Sequence, residues 1–576
     1  MEDTDTPGRT AGREVLNNME LTSMIFQFLR DGTLIEAGLK LVGGAMQTMP
    51  KSWTSIFARL ALVNNAFFHA STDVLWENMT TVEPFFGLLL QADSHREDGH
   101  MHGTGILSYY WLITQDEWDR FEIYSRKVKN LALIGANSLK IRTPWLLYLS
   151  RTKLQPKRLF PTLKRLFLTS SDDISLFVAM SVAPYIKSLT IHLGENPQDP
   201  TQDACMALTS ILCELTSVLS ELRILNPITP VLTPNVFEIS GITSLSLTVN
   251  SKLEDLKLAE ISYLTFLEKL ELQQTVKTDR IQFPTTIDIQ AAIARVPSKP
   301  GFENQSLREL TVTGGGSLLY EIAATISPRF LKALRLEVIP DISYKSMALV
   351  PLAIAIYAHR NKSLTSLVVN CPTRGRNRAE DLLPLRDDMR FRRAGDLLAA
   401  LSTLHDLKTL CIDKLPFLAV DINVDVLRVV QNLKGLESLR LRTKPMTSAS
   451  DDELVVPPLQ YLEDLSRNNL NLSEVEMEID MSTIPDIPTD YTSTNALRHL
   501  YLYPSSTSRA ISNGERLRMA RYIDRLFPQV KKLRSDAMKG SPLWELWGHV
   551  EEMVSHTQEV RAQAIRDLAR SNNADL

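Results

Sequence analysis

Along most of this chain an apolar residue is followed by two variable positions, a leucine, one variable position and another apolar residue, and the pattern then returns. Clear copies run Leu163 to Leu168, Ile186 to Ile191, Ile242 to Leu247, Leu267 to Leu272, Leu307 to Val312 and Leu331 to Leu336. Others run Leu364 to Val369, Leu407 to Ile412, Leu436 to Leu441, Leu472 to Met477 and Leu497 to Leu502. Weaker copies at Val128 to Leu133, Leu219 to Ile224 and Val530 to Ser535 bring the total to about fourteen. Each copy predicts a turn that delivers one apolar side chain inward, then a short strand whose alternate residues face a core. One such unit cannot bury its own apolar face, so units must stack and share a parallel sheet.

The intervals between copies range from 23 residues (Leu163 to Ile186) to 43 (Leu364 to Leu407). Their mean, near 31 residues, exceeds the roughly 20 to 29 residues of compact repeats of this kind, so helices are expected between the strands. Apolar residues at a 3.6-residue rhythm mark Ala207 to Leu219, Ser346 to Arg360, Ala394 to Leu404, Val424 to Leu433 and Glu515 to Phe527 as those helices. The expected fold is an α/β repeat protein: an N-terminal helical motif, then a curved, irregular leucine-rich-repeat solenoid with a parallel concave sheet and convex helices. Its predicted parts are a polar, disordered tail at 1–14, a helical motif at 15–90, a helical or loop linker at 91–127, the solenoid at 128–540 and a capping helix at 541–576. In that last helix Leu543, Leu546, Trp547, Val550, Val554 and Val560 form the apolar rhythm, and Trp544 or Trp547 would be the residues to meet a partner.

Two amphipathic rhythms fill the N-terminal motif. In Asn17 to Leu29, residues Leu21, Ile25 and Phe28 or Leu29 share one helical face, widened by Met24 and Phe26. In Ala58 to Met79 the rhythm is Leu60, Val63, Phe67 and Leu75. Taken in order, Glu20-Leu21, Ile25-Phe26, Leu29, Leu62-Val63, Phe67 and Leu75-Trp76 resemble the F-box. The chain further resembles fungal F-box proteins with leucine-rich repeats in Asp116 to Leu133 and in Leu526 to Leu533. Asn17-Asn18 stand where the F-box usually carries Leu-Pro, and residues Arg30 to Ala58, with Gly43-Gly44 and Pro50, form an insertion between its halves, expected as a flexible excursion. The resemblance implies a non-catalytic substrate receptor of an SCF-type cullin ubiquitin ligase. Those ten residues would dock a Skp-type adaptor, which brings the cullin and a ring protein, while the repeats hold a protein client. The alternative is a leucine-rich-repeat scaffold or receptor whose N-terminal helices only cap the stack.

Composition narrows the function classes. The 576 residues are 44% hydrophobic and 23% charged, too apolar for disorder and too many for one core. A formal charge of -4 supplies no global field for nucleic acid or an anionic membrane. The apolar stretch Ser346 to Arg360 is shorter than the roughly 20 residues a membrane helix needs, so no membrane span is expected. Cys205, Cys213, Cys371 and Cys411 lack metal or redox spacing, which fits a reduced cytoplasmic or nuclear setting; Cys205 and Cys213, in or beside an apolar helix, read as inert thiols, and Cys411 falls on a strand in the outward register. The sequence holds no GxSxG, P-loop, HExxH or kinase motif, so no enzyme and no cofactor is expected. Asp93, His95, Glu97, Asp98, His100 and His102 cluster between Asp93 and Gly105, but their spacing matches no zinc pattern and reads as a solvated loop.

The strand register also picks out the side chains facing away from the core. Near the C-terminal end these are Ser438, Arg440 and Arg442, then Glu474, Glu476 and Glu478, then His499, Tyr501 and Tyr503. Arginines and glutamates on neighbouring strands can pair across a sheet. Arg440, Arg442 and Glu476, with the rung of His499, Tyr501 and Tyr503, make the first client-binding candidate, because aromatic and arginine side chains dominate binding hot spots. A second client candidate is the longest interval, Cys371 to Asp396, whose Arg390, Arg392 and Arg393 could grip an acidic or phosphorylated segment, tempered by Glu380, Asp381, Asp387 and Asp388.

Overall fold

The structure is a computed structural model. It describes residues 18–36, 51–90, 113–133, 159–169, 173–192, 211, 218–228, 236–249, 258–274, 305–326, 328–339, 349–371, 401–413, 428–442, 457–486, 495–504, 512–534 and 542–574. The chain forms two compact units, Met1–Thr248 and Val249–Leu576.

The first unit opens with three helices, α1 (Met19–Glu36), α2 (Lys51–Leu60) and α3 (Asn65–Glu77). Asn18 starts α1: its side-chain oxygen accepts the backbone N–H groups of Glu20 and Leu21 at 3.0 and 3.1 Å. Asn64 does the same for α3, accepting from the Phe67 N–H at 2.8 Å. An asparagine cap stabilises a helix start by about 1 kcal/mol, and Asn64 splits the stretch that the apolar rhythm read as one helix. Phe26 of α1 meets Phe57 of α2 with ring centroids 5.5 Å apart and Phe67 of α3 edge-on at 5.3 Å. Ala70 and Val74 complete this small core, and Leu60 and Leu75 pack against it. Within the stretch expected as a flexible excursion, α1 continues to Glu36, α2 begins at Lys51 and Phe57 is fully buried. Residues 37–50 lie outside the described residues.

The sheet starts earlier than the repeat pattern indicates. β1 (Asn78–Met79) follows α3 without a break and pairs in parallel with β2 (Asn130–Leu133). Two residues are too few to carry the repeat signature, so β1 is invisible to it. The stretch expected as a linker contributes α5 (Gln115–Ser125), which packs with α4 (Glu83–Leu90). A reciprocal cap begins α5: the Glu117 N–H donates to the Thr114 hydroxyl at 3.3 Å, and the Thr114 N–H donates to the Glu117 carboxylate at 2.7 Å. Phe85, Trp118, Phe121 and Phe160 are buried together, with Phe85 edge-on to Phe160 at 5.0 Å. Trp76, at the end of α3, stacks on Phe85 at 4.8 Å and Tyr124 at 4.6 Å.

All fourteen repeat copies become strands. In the first unit β3 (Arg165–Leu168), β4 (Ser188–Ile191), β5 (Glu221–Ile228) and β6 (Ser244–Val249) follow β2 in chain order. Leu131, Leu166, Leu189 and Leu222 share one register row, all buried. The second unit continues the same rule with β7 (Lys269–Gln274), β8 (Glu309–Gly314), β9 (Ala333–Val338), β10 (Ser366–Asn370), β11 (Thr409–Asp413), β12 (Ser438–Arg442), β13 (Glu474–Ile479), β14 (His499–Pro504) and β15 (Lys532–Arg534). The described residues pair in parallel without slippage, so Leu310, Leu334, Leu367, Leu410, Leu439, Val475, Leu500 and Leu533 fall in one buried row. A one-residue slip would turn every one of these side chains to the other face.

The predicted helices at 346–360 and 515–527 appear as α8 (Val350–Arg360) and α10 (Asn513–Leu526). Helices also stand between strands as α6 (Asp173–Val182) in the first unit and as α7 (Gly316–Thr325) and α9 (Tyr461–Asn468) in the second, where α7 packs with α8 and α9 with α10. Of the helix expected at 207–219 only Ile211, Val218 and Leu219 are described, and of that at 394–404 only 401–404. Buried asparagines brace the turns: Asn469 donates to the carbonyls of Val430 and Leu433 at 2.9 Å each, and Asn495 donates to the carbonyl of Asn469 at 2.9 Å. The stack is covered by α11 (Pro542–Ala574), whose Leu546, Trp547, Val550 and Val554 are buried. Glu551 of α11 accepts the Leu533 N–H of β15 at 3.3 Å. No helix among the described residues is long and apolar enough to cross a membrane.

Candidate functional site

Two surfaces hold the residues singled out from the sequence. On the first, the helical motif turns part of its apolar content outward. Leu21, Ile25 and Leu29 of α1 are 41%, 44% and 37% exposed, and Leu62 and Val63, in the turn between α2 and α3, are 86% and 62% exposed. Glu20 is exposed beside them. Met19, Met24, Phe28 and Ile56 extend this character. Four other predicted residues do a different job. Phe26 is buried in the aromatic core, Phe67 and Leu75 are half-buried against it, and Trp76 is held between Phe85 and Tyr124. The face of α1 that packs inward is therefore Thr22 and Phe26, while the Leu21, Ile25 and Leu29 stripe faces water. Phe26 is corrected from a docking residue to a core residue. Its contacts explain why: its ring meets both Phe57 and Phe67 in the motif's interior.

The second surface is the outer face of β12 to β14. The register sets Arg440 opposite Glu476 and Glu476 opposite Tyr501, with Glu478 opposite Tyr503. Glu476 is 7% exposed and receives both arginines: Arg440 Nε lies 2.9 Å from one carboxylate oxygen, and Arg442 pairs with the other. The Tyr503 hydroxyl donates to the same carboxylate at 2.5 Å and is itself bonded by Arg442, whose guanidinium lies 4.0 Å above the Tyr503 ring. Burial raises the pKa of Glu476 above the usual carboxylate range, with Arg442 and Arg440 pulling the other way. A buried carboxylate with two arginines and a hydroxyl is a closed set. Arg440, Arg442, Glu476 and Tyr503 therefore brace the sheet rather than present free groups to a client. His499 and Tyr501 stay half-buried on the outer face, their rings 6.4 Å apart.

Cys411 sits in the same register row as Arg440, yet it is buried, with its sulfur 3.5 Å from the Asn370 side-chain oxygen. Burial pushes its thiol up to about 11, so thiolate chemistry near neutral pH is suppressed. Trp547 packs inward, which removes it as a docking residue. Arg390, Arg392 and Arg393, the cluster from Asp93 to Gly105, Cys205 and Cys213 lie outside the described residues, as does the side chain of Trp544. The register adds residues that the sequence reading passed over: Lys532 stands opposite His499 and Arg534 opposite Tyr501, both exposed. Extending the alternation rule into the weak copy Val530 to Ser535 would have found them.

Comparison with known proteins yields no matching family model and no matching curated protein. Among solved structures 41 chains match. One is the leucine-rich-repeat ectodomain of the plant membrane receptor kinase GASSHO1/SCHENGEN3 from Arabidopsis thaliana, in complex with CASPARIAN STRIP INTEGRITY FACTOR 2. Identity is 11% and the TM-score 0.15, and the match covers 71% of this chain and 59% of that ectodomain. The chain thus spans about three fifths of that ectodomain's length. The strand order and unslipped register of the chain itself carry the fold: an α/β leucine-rich-repeat solenoid with helices ahead of its first strands.

Proposed function

We propose that this chain is a non-catalytic substrate receptor of an SCF-type cullin ubiquitin ligase, acting in the cytoplasm and/or nucleus. Its helical motif docks a Skp-type adaptor, and its repeats hold a protein client. The observation that supports this reading is the division of labour within the first three helices. Phe26, Phe57, Ala70 and Val74 form the core of the motif with Phe67 against it, while Leu21, Ile25, Leu29, Leu62 and Val63 are left in water. Exposing apolar side chains costs solubility and is kept where a partner covers them. These are also five of the ten residues that resemble the F-box. Ubiquitin transfer then belongs to the ring protein and its conjugating enzyme, and this chain contributes proximity.

Co-expression with a Skp-type adaptor tests the reading. The two are expected to co-purify as a stoichiometric complex, and Ile25→Asp with Leu62→Asp is expected to separate them while the fold persists. A wild-type chain that never retains the adaptor removes the proposal. A second reading has its own support: Trp76 packs against Phe85 of α4 and Tyr124 of α5, which ties α3 to the helices beside it as a cap would. In that case the chain is a leucine-rich-repeat scaffold, and the double variant changes no partner.

A further inference from the structure

We propose that the outer face of β14 and β15 is a site for an acidic client peptide, with Tyr501 as its aromatic anchor and Lys532 and Arg534 as its charge contacts. The proposal rests on the client-binding half of the function above and gives that client a chemistry.

The argument begins with how positive charge is distributed. From β11 to β13 the cations are consumed locally: Lys408 pairs with Glu437 at 2.7 Å, and Arg440 and Arg442 both pair with Glu476. At β14 and β15 that bookkeeping stops. Arg498 and Lys531 occupy equivalent turns, joined by the Lys531 N–H donating to the Arg498 carbonyl at 2.8 Å, and Lys532 and Arg534 follow on β15. All four are exposed, and none forms an ion pair within the described residues. The acids nearest in the register are already engaged. Glu474 accepts from the Ser438 hydroxyl at 3.5 Å, Glu476 holds the two arginines, and Glu551 accepts the Leu533 N–H. Lys532 and Arg534 thus stand on the outer face of β15, with Arg498 and Lys531 in the turns that precede β14 and β15, and none of the four is in an ion pair among the described residues.

The geometry then selects the ligand. Parallel pairing puts Tyr501 directly opposite Arg534 and His499 opposite Lys532, on strands about 4.8 Å apart. An extended peptide lying across these rungs turns alternate side chains toward them, so carboxylates at alternate positions reach Lys532 and Arg534 while an apolar side chain on the same side rests on Tyr501. Guanidinium and carboxylate form the stronger, forked class of hydrogen bond, and tyrosine gives contact area at little entropic cost. Tyr503 is fixed by Arg442 and Glu476 next to this site and holds its wall still. An acidic protein segment is favoured over nucleic acid because β13, the strand alongside, presents Glu474 and Glu478 on the same face, which a continuous phosphate backbone would have to pass.

The test uses the full chain and a fluorescent peptide of alternating Asp and Glu around a central Leu, with anisotropy as the readout. Wild-type protein is expected to bind it with an affinity that falls as salt rises. Lys532→Glu with Arg534→Glu is expected to weaken binding by at least about tenfold, and Tyr501→Ala by about threefold to tenfold. Both variants change exposed or half-buried side chains, and an unaltered melting temperature verifies their fold. Equal binding by the charge-reversed variant, or equal binding of the Asn/Gln version of the peptide, overturns the proposal. Displacement of the acidic peptide by a single-stranded RNA that binds more tightly also overturns it and assigns the patch to nucleic acid. Adaptor co-purification is measured on the same variants. Loss of peptide binding with adaptor retained supports the client site, whereas loss of adaptor from wild type indicts the ligase reading alone.

Discussion

The helical motif and the outer face of β12 to β14 invite opposite readings of which residues are free. In the motif, Phe26, Phe57, Ala70 and Val74 make the core, with Phe67, Leu60 and Leu75 against it, while Leu21, Ile25, Leu29, Leu62 and Val63 remain in water. On the sheet, the groups that look most suited to binding, Arg440, Arg442, Glu476 and Tyr503, are spent on one another. The lesson is that residue type alone does not mark a binding surface. An apolar side chain in water has no partner yet, while a charged side chain on a strand commonly has one on the next strand.

The sharpest way to break the contrast is Phe26→Ala, which removes the ring joining Phe57 and Phe67. A loss of about 3 to 5 kcal/mol is expected within the motif, read as selective loss of hydrogen-exchange protection in α1 and α3 with protection in β7 to β14 retained. Glu476→Ala comes next, because it leaves two arginines facing each other. Its cost is expected at about 2 to 3 kcal/mol, below that of a fully buried pair since Arg440 reaches water, and a chemical-denaturation series measures it. Ile25→Asp with Leu62→Asp is expected to move stability by no more than about 0.5 kcal/mol, yet to abolish adaptor capture. A large stability loss would place those residues in a core instead.

The smallest effect is a pH dependence. Glu476 and Asp524 both have carboxyl pKa values raised by burial above their ordinary 4.5 and 3.8. The native state then keeps these protons to higher pH than the unfolded chain, so the associated stability is present at low pH and fades as pH climbs through the raised values. Denaturation midpoints measured from about pH 4.5 upward are expected to drift down, and Glu476→Gln is expected to flatten that drift. An unchanged profile in the variant would remove Glu476 as its source.

Much of this was legible because the repeat encodes a register as well as a strand. A turn residue followed by two alternating apolar positions fixes which face the strand buries, and the central apolar residue of every copy, from Leu131 to Leu533, is buried. β1 escaped because two residues, Asn78 and Met79, are paired only through Asn130 and Leu131 some fifty positions later. The helical motif was half legible. A rhythm of Leu21, Ile25 and Leu29 predicts an apolar stripe but not whether protein or water faces it, and Phe26 beside it proved to be the inward residue. The charged rungs were legible as positions but not as a saturated network, since the Arg442 to Tyr503 contact spans β12 to β14 and depends on three-dimensional neighbours.

The Leu533 N–H on the last strand points to where a sixteenth strand would lie, and the Glu551 carboxylate stands there instead. A parallel sheet is a template that any extended chain can lengthen, including a second copy of the same protein. Here one side chain from α11 answers the template's open donor, while Lys532 and Arg534 charge its rim. Growth of the stack ends at β15 by local chemistry, so the protein can keep a long exposed sheet face open to a partner without that face's end becoming a seed for assembly.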